Sequence, residues 1–226
     1  MVRQHGSKVR SFLLLFFKKE VLFFPYPRQK PMLSHLRPAI SLIVLFTLLT
    51  GVAFPLAFVG IGQIAFPFQA NGSLVSQGGK MIGSAIIGQN FTSAGYFHPR
   101  PSALMGADPK DATKQVATPY DASESGASNL AATSKALIDR VTADAKSLGG
   151  VSVPADAVTT SASGLDPDIS PENAASQVAR VAAARKLPAA IVAGLVAQQT
   201  RAPLLGFVGQ DRVNVLALNM ALDAAH

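Results

Sequence analysis

AISLIVLFTLLTGVAFPLAFVGI, Ala39 to Ile61, is 23 residues without a charge, and it decides the architecture. As a helix it would run roughly 35 Å, against a hydrocarbon core about 30 Å thick. Ser41, Thr47 and Thr50 can return their hydroxyls to the carbonyls of the preceding turn, which makes them tolerable in lipid. Gly51 and Pro55 mark where such a helix kinks or lets a neighbour approach. The uncharged stretch is wider still, since no Lys, Arg, Asp, Glu or His occurs from Pro38 through Gly79. A buried core helix is the competing reading, and the length argues against it.

Charge is distributed about this segment unequally. Residues 1–37 hold eight Lys/Arg and one acid (Glu20), a net of +7, while residues 38–226 hold twelve of each sign. The excess therefore does not lie on a folded face, as a nucleic-acid binder would need to neutralise phosphates. Cations on the leading flank predict a cytoplasmic N-terminus and an exported C-terminal domain. The alternative is a cleaved signal sequence, with Gly51-Val52-Ala53 as the small-residue cleavage site. The organisation expected is 1–31 as an N-terminal extension, 32–38 as a cytoplasmic flank, 39–61 as a transmembrane helix and 62–226 as one exported domain. In the extension, SFLLLFF (Ser11–Phe17) is too short to span, and Pro25, Pro27 and Pro31 discourage a continuing helix. Met32 is favoured as the initiator, with an interfacial amphipathic segment as the alternative.

The exported part reads as α+β: short antiparallel strands and several helices behind a single membrane helix. Ser73–Val75 and Lys80–Ile87 predict two strands about the Ser76–Gly79 turn. Asn90–Leu104, with its aromatic, Pro and Arg content, predicts an ordered loop, and the Gly, Ala, Ser, Asp and Pro of residues 105–128 predict another. Leu130, Leu137, Ile138, Val141 and Ala145 predict a helix over Asn129–Leu148, ended by Gly149-Gly150. Ser170, Pro171 and Glu172 open a second helix with a cap, a first-turn proline and a first-turn acid. Ala174, Ala175, Val178, Val181 and Ala182 form its apolar stripe. Pro188 stops that helix and starts another through Gln199. Leu204–Val208 and Arg212–Val215 predict a hairpin, and Leu216–Ala224 a last helix.

Chemistry-bearing patterns are sparse. The four histidines, His5, His35, His98 and His226, show no metal-ligand spacing, and HExxH, GxSxG and the phosphate-binding GxxxxGK[ST] loop are absent. There is no cysteine, which removes disulfides and thiolate chemistry. Asp156, Asp166 and Asp168 are too few and too widely spaced for a calcium loop. Asp166 or Ser163 is expected instead to cap a turn ahead of the Ser170 helix. No catalytic and no metal-ligating residue is expected.

Five blocks of sequence then resemble one family. GSAIIGQNF (Gly83–Phe91), YFHPRPSA (Tyr96–Ala103), SGASNL (Ser125–Leu130), TTSASGLDPDIS (Thr159–Ser170) with QVARVAAAR (Gln177–Arg185), and RVNVLALNMAL (Arg212–Leu222) occur in the order of the KdpC family, the C chain of potassium-transporting ATPases. Asp168 stands where that family usually has histidine, and Ala127 and Ala131 stand where glycines are expected. The resemblance implies a non-catalytic subunit of the bacterial inner membrane, with its domain in the periplasm. Its partners would be a potassium-translocating A subunit, a P-type ATPase B subunit, a small F subunit and membrane lipid, with no nucleic acid. It implies K+ as the transported ion and ATP as the nucleotide whose affinity for the B subunit the chain raises. Nucleotide contacts carried over from the family fall on Gly88 and Gln89. Tyr96, Phe97, Arg100, Ser163, Asp166 and Arg180, all inside the matched blocks, are the candidates for partner contact. Replacing Arg100 or Gln89 is expected to weaken the pump while leaving the fold intact. The alternative function is a membrane-anchored periplasmic enzyme or ligand-binding module.

Overall fold

The computed structural model describes residues 32–150 and 152–225, so both readings of residues 1–31 lie outside the described residues. The chain divides into two units at Gly60 and Ile61. The first holds most of α1, a continuous helix over Leu33–Ala65 that is long and apolar enough to cross a membrane. It exceeds the expected 39–61 at both ends because weakly apolar flanks propagate a helix once it is formed. Pro38 is harmless there, since the opening turn over Met32–His35 is 3-10 and the α-helical part starts at Leu36, which puts Pro38 in its first turn. At the far end Phe66 leaves helical geometry (φ −139°, ψ 54°) because the following Pro67 disfavours it. The break expected near Gly51 and Pro55 is a π-helical turn over Leu49–Ala53. Pro55 has no amide to offer the preceding turn, and the wider turn absorbs both that loss and the ring. Thr50 donates to Phe46 O at 2.6 Å, as the sequence predicts.

The second unit opens with a single-turn helix, α2 (Pro67–Ala70), and a hairpin of β1 (Leu74–Gln77) and β2 (Lys80–Ser84). Gly78 and Gly79 both have positive φ (59° and 78°), the backbone that a two-residue hairpin turn requires. β2 stops at Ser84, short of the expected Ile87, and the loop that follows runs to residue 104 and takes in the one expected over Asn90–Leu104. A second hairpin then departs from expectation: β3 (Met105–Asp108) pairs with β4 (Asp111–Ala117) where a loop was read. Its residues have low strand propensity and are largely exposed, so no alternation marked it. Only the Asp108–Asp111 turn, where Lys110 N donates to Asp108 Oδ1 at 2.8 Å, carried a local signal.

The helix read from Asn129 begins later, as α3 (Lys135–Ser147), and leaves Leu130 in the loop. The residues just ahead of Thr159 form a one-turn helix, α4 (Ala155–Val158). β5 (Asp168–Ile169), α5 (Pro171–Arg185), α6 (Ala189–Gln199), β6 (Thr200–Arg201), β7 (Arg212–Asn214) and α7 (Val215–Asp223) complete the domain. The expected hairpin between 204–208 and 212–215 does not form. β7 is the centre of a β5-β7-β6 sheet, antiparallel to both neighbours, and residues 204–208 close on themselves. The core lies where this sheet meets α5, α6 and α7: Phe97, Ile169, Ala174, Val181, Val192, Val213, Leu218 and Leu222 are buried there. Of the predicted α5 stripe, Ala174, Val181 and Ala182 are buried, Val178 is partly so, and Ala175 faces solvent. Lys186 ends α5 in left-handed geometry, and Leu187 N returns to Ala182 O at 3.0 Å before Pro188 opens α6.

Candidate functional site

The start of α5 organises the surface where the matched blocks meet. Ser170 caps it, its Oγ accepting from Asn173 N at 3.0 Å. Asp156, reaching over from α4, accepts from Ser170 N (2.7 Å), Ser170 Oγ (2.8 Å) and Asn173 Nδ2 (3.0 Å). Burial opposes ionisation of Asp156, but these donors outweigh it and hold its carboxyl below the usual range. Asn173, Gln177 and Arg180 follow at helical spacing and form a polar stripe beside the apolar one.

That stripe grips the irregular loop. Arg180 donates to Ala94 O (2.7 Å) and Tyr96 O (3.0 Å). Arg185 Nε donates to Gly95 O at 2.7 Å. Gln177 accepts from His98 N (2.7 Å) and donates to His98 O (3.1 Å). From α7, Asn219 does the same for Phe97, accepting from its N at 2.8 Å and donating to its O at 3.0 Å. Every carbonyl from Ala94 to His98 is thus met by a side chain from α5 or α7. The two amide side chains act as a strand's peptide groups would, one on each of two successive residues. A part-buried segment without sheet or helix must find partners for its backbone somewhere, and this one finds them here.

Around this loop lies a cleft of about 640 Å3, lined by Phe91, His98, Arg100, Tyr120, Gln177 and Arg180 among others. Burial lowers the His98 imidazole pKa, with the Arg180 charge adding to it. Burial also pushes the Tyr120 phenol up, reinforced by the Asp166 charge, and desolvation lowers Arg180. Tyr120 donates its hydroxyl proton to Arg100 O at 2.8 Å.

The predicted residues take the following places. Gly88 is buried, and its N donates to Leu165 O at 2.8 Å. A Cβ there would collide with the Tyr120 ring and lie 2.7 Å from Asp166 O, so glycine permits a close chain approach. Gln89 donates to Ile82 O at 2.6 Å and covers Gly83, where an added Cβ would strike its amide nitrogen. Neither residue lines the cleft. Arg100 pairs with Asp166 at 2.8 Å, and Asp166 Oδ1 also accepts from Asp168 N at 3.1 Å. Ser163 turns its Oγ to Leu165 N at 3.1 Å. Asp166 and Ser163 therefore hold local turns ahead of α5, as expected, while the cap on α5 itself comes from Ser170 and Asp156. Tyr96 lies against the Arg185 guanidinium, 4.5 Å from ring centroid to Cζ, and its hydroxyl donates to Asp223 at 3.2 Å. Arg180 is spent on the loop carbonyls.

Phe97 is fully buried and sits in the core. Arg100 and Gln89 are both bonded into the structure, to Asp166 and to Ile82 O. Sequence reasoning missed Asn219, Gln177, Asn173, Tyr120 and Arg185 as organisers of the site. The available signal was the run of polar side chains at positions 173, 177 and 180, directly beside the apolar stripe. Among the described residues no three His, Asp or Glu side chains converge at metal-binding range.

The blocks that build this arrangement are those of a known family. A family model described as "K+-transporting ATPase, c chain" matches residues 36–224. The chain belongs to the KdpC family. A Potassium-transporting ATPase KdpC subunit of Bradyrhizobium diazoefficiens is 56% identical over 198 residues, 86% of this chain and 98% of that one. Its counterpart in Methylobacterium nodulans is 56% identical over 196 residues, 85% of this chain and 98% of that one. That of Methylorubrum extorquens is 52% identical over 195 residues, covering 84% and 97%. The KdpC match begins inside α1 and ends just past α7, so it takes in nearly all of the candidate membrane span together with the whole loop-gripping assembly.

Proposed function

We propose that this chain is the accessory C subunit of an ATP-driven potassium-transporting complex of the bacterial inner membrane. α1 anchors it with the N-terminus in the cytoplasm and the domain in the periplasm, and the domain supports assembly with the A, B and F subunits. K+ is the ion transported by the complex, and the chain itself carries no catalytic step. The observation that carries this reading is the continuity of the family match across both the apolar helix and the domain. Arg37, which stays on the leading flank whether the chain starts at Met1 or at Met32, favours the orientation, and the cations ahead of Met32 add to it where they are translated.

The chain raises the ATP affinity of the P-type ATPase subunit through its contacts rather than by holding ATP at Gly88 and Gln89. Gly88 is enclosed by Tyr120 and Asp166, and the Gln89 amide is committed to Ile82 O. On the proposed orientation those residues also face away from the cytoplasmic nucleotide. Coupling then has to pass through elements that contact both sides. The test is K+-stimulated ATP hydrolysis of the reconstituted complex with and without the full chain. Omission is expected to weaken apparent ATP affinity, and the isolated chain is expected to give no ATP-binding heat by calorimetry. ATP binding by the isolated chain that Gln89→Ala abolishes would refute the indirect route. A chain that purifies alone and turns over a small molecule would favour the anchored-enzyme alternative.

A further inference from the structure

Between β6 and β7 the chain makes a tight turn that offers apolar side chains to solvent. Leu205 and Phe207 are each 77% exposed and Leu204 67%. The turn is built rather than frayed: Leu204 N donates to Val208 O at 3.1 Å, and Val208 N to Leu204 O at 2.9 Å. It passes through left-handed geometry at Leu205 (φ 55°) and Gly206 (φ 79°). The turn between β1 and β2 gives both such positions to glycine, which has no Cβ to clash. A leucine in that region carries a steric penalty, and here the side chain so placed points outward. Exposed apolar clusters of this kind mark interaction sites.

The turn continues directly into a charged surface. Gly209 to Arg212 form one wall of a depression of about 660 Å3 whose lining also includes Asp156, Asp166, Asp168, Glu172 and Arg100. With Asp211, five carboxylates there face two guanidiniums. Asp166 pairs with Arg100 and Asp168 with Arg212, and Asp156 is held by Ser170 and Asn173, which leaves Glu172 and Asp211 exposed and outside these ion pairs; Arg201, whose charge also acts on Asp168, offsets only part of the excess. A net negative surface beside an apolar knob repels anionic lipid headgroups, and it repels a second copy presenting the same face. It complements a cationic partner.

We propose that the Leu204–Val208 turn and the acidic depression beside it form one docking surface for another subunit of the transporter. That subunit presents an apolar socket bordered by lysines or arginines. The inference rests on the subunit reading above.

The test uses the full chain co-expressed with the A, B and F subunits and captured through a tag on the ATPase subunit. Leu205→Asp with Phe207→Asp is expected to lower retention of the chain at least roughly tenfold. Glu172→Lys with Asp211→Lys is expected to lower it several-fold at low salt, and wild-type retention is expected to fall as salt rises. All four side chains are exposed, so the Leu205/Phe207 variant should melt with the wild type and the Glu172/Asp211 variant only slightly below it, since Glu172 also favours the start of α5; folding is retained in both, which separates lost docking from lost folding. The chain has no cysteine, so Phe207→Cys can carry a photo-crosslinker, which is expected to capture a different subunit. Wild-type retention of the double variants, or crosslinking to lipid or to a second copy, would overturn the docking surface alone. Failure of the wild-type chain to be retained would overturn the subunit reading and this inference with it.

Discussion

Asn219→Ala is the sharpest probe of how the loop is held. Asn219 is 2% exposed and makes both of its bonds, at 2.8 and 3.0 Å, to the backbone of Phe97, whose side chain fills the core at 0% exposure. Alanine removes donor and acceptor together and leaves a buried N–H and a buried C=O without partners. Each such orphan costs about 1–3 kcal/mol, so the pair should cost roughly 2–5 kcal/mol after partial relaxation. For a chain of this size, 1 kcal/mol moves the midpoint by about 2–4 °C, which predicts a fall of roughly 6–15 °C. The assay is thermal unfolding of the full chain in detergent followed by circular dichroism, with hydrogen exchange at the Phe97 amide as the local readout. Gln177→Ala removes the equivalent pair at His98, where partial exposure lets water replace the lost bonds, so a smaller fall of about 1–2 kcal/mol is expected. An Asn219→Ala protein that melts within 2 °C of wild type, with Phe97 exchange unchanged, would refute the view that side-chain amides replace sheet pairing here.

Gly88→Ala is expected to cost about 1–3 kcal/mol, because the new methyl meets the Tyr120 ring and Asp166 O, and thermal melts check it. On acidification, burial of His98 and the hydrogen bonds to Asp156 mean that both groups bind fewer protons folded than unfolded. Each contribution is present above the unfolded pKa, about 6.5 and about 3.9, and is lost as pH falls through the lower folded value. Two steps in the melting temperature are therefore expected; His98→Gln should abolish the upper one and Asp156→Asn the lower. Asp168 has the opposite sign: burial raises its carboxyl, Asp166 adds to the rise, and the bond from Asn214 counters it. Its contribution is present at low pH and lost as pH rises past about 3.9. Asp168→Asn should melt at or about 1–2 °C above wild type at neutral pH, with the difference gone in acid; marked destabilisation would mean that the Arg212 pair dominates.

The apolar helix was legible because 23 uncharged residues admit few other structures. The start of α5 was legible because Ser170, Pro171 and Glu172 each satisfy a local requirement of a helix end. The β3–β4 hairpin was not, because Gly106, Ala107, Lys114 and Gln115 have little strand preference and no buried face to impose alternation. Nor was the three-stranded sheet: β5 and β6 are two residues each, and β5 pairs with β7 from a segment far back in the chain. At the site, the motif reading found the segments that come together but not how each side chain is placed: Phe97 lies in the core and Gln89 is bonded to Ile82 O, neither of which a local pattern shows. The grip of Asn219 on Phe97 spans 122 residues, a distance over which no local pattern operates.

If the chain works as one subunit of a membrane assembly, mass measurement of the intact complex extracted from native membranes should find it at full length, in fixed stoichiometry with a potassium-translocating subunit and a P-type ATPase. Recovery of the chain only as a free species, while those two proteins remain associated without it, would contradict the subunit reading.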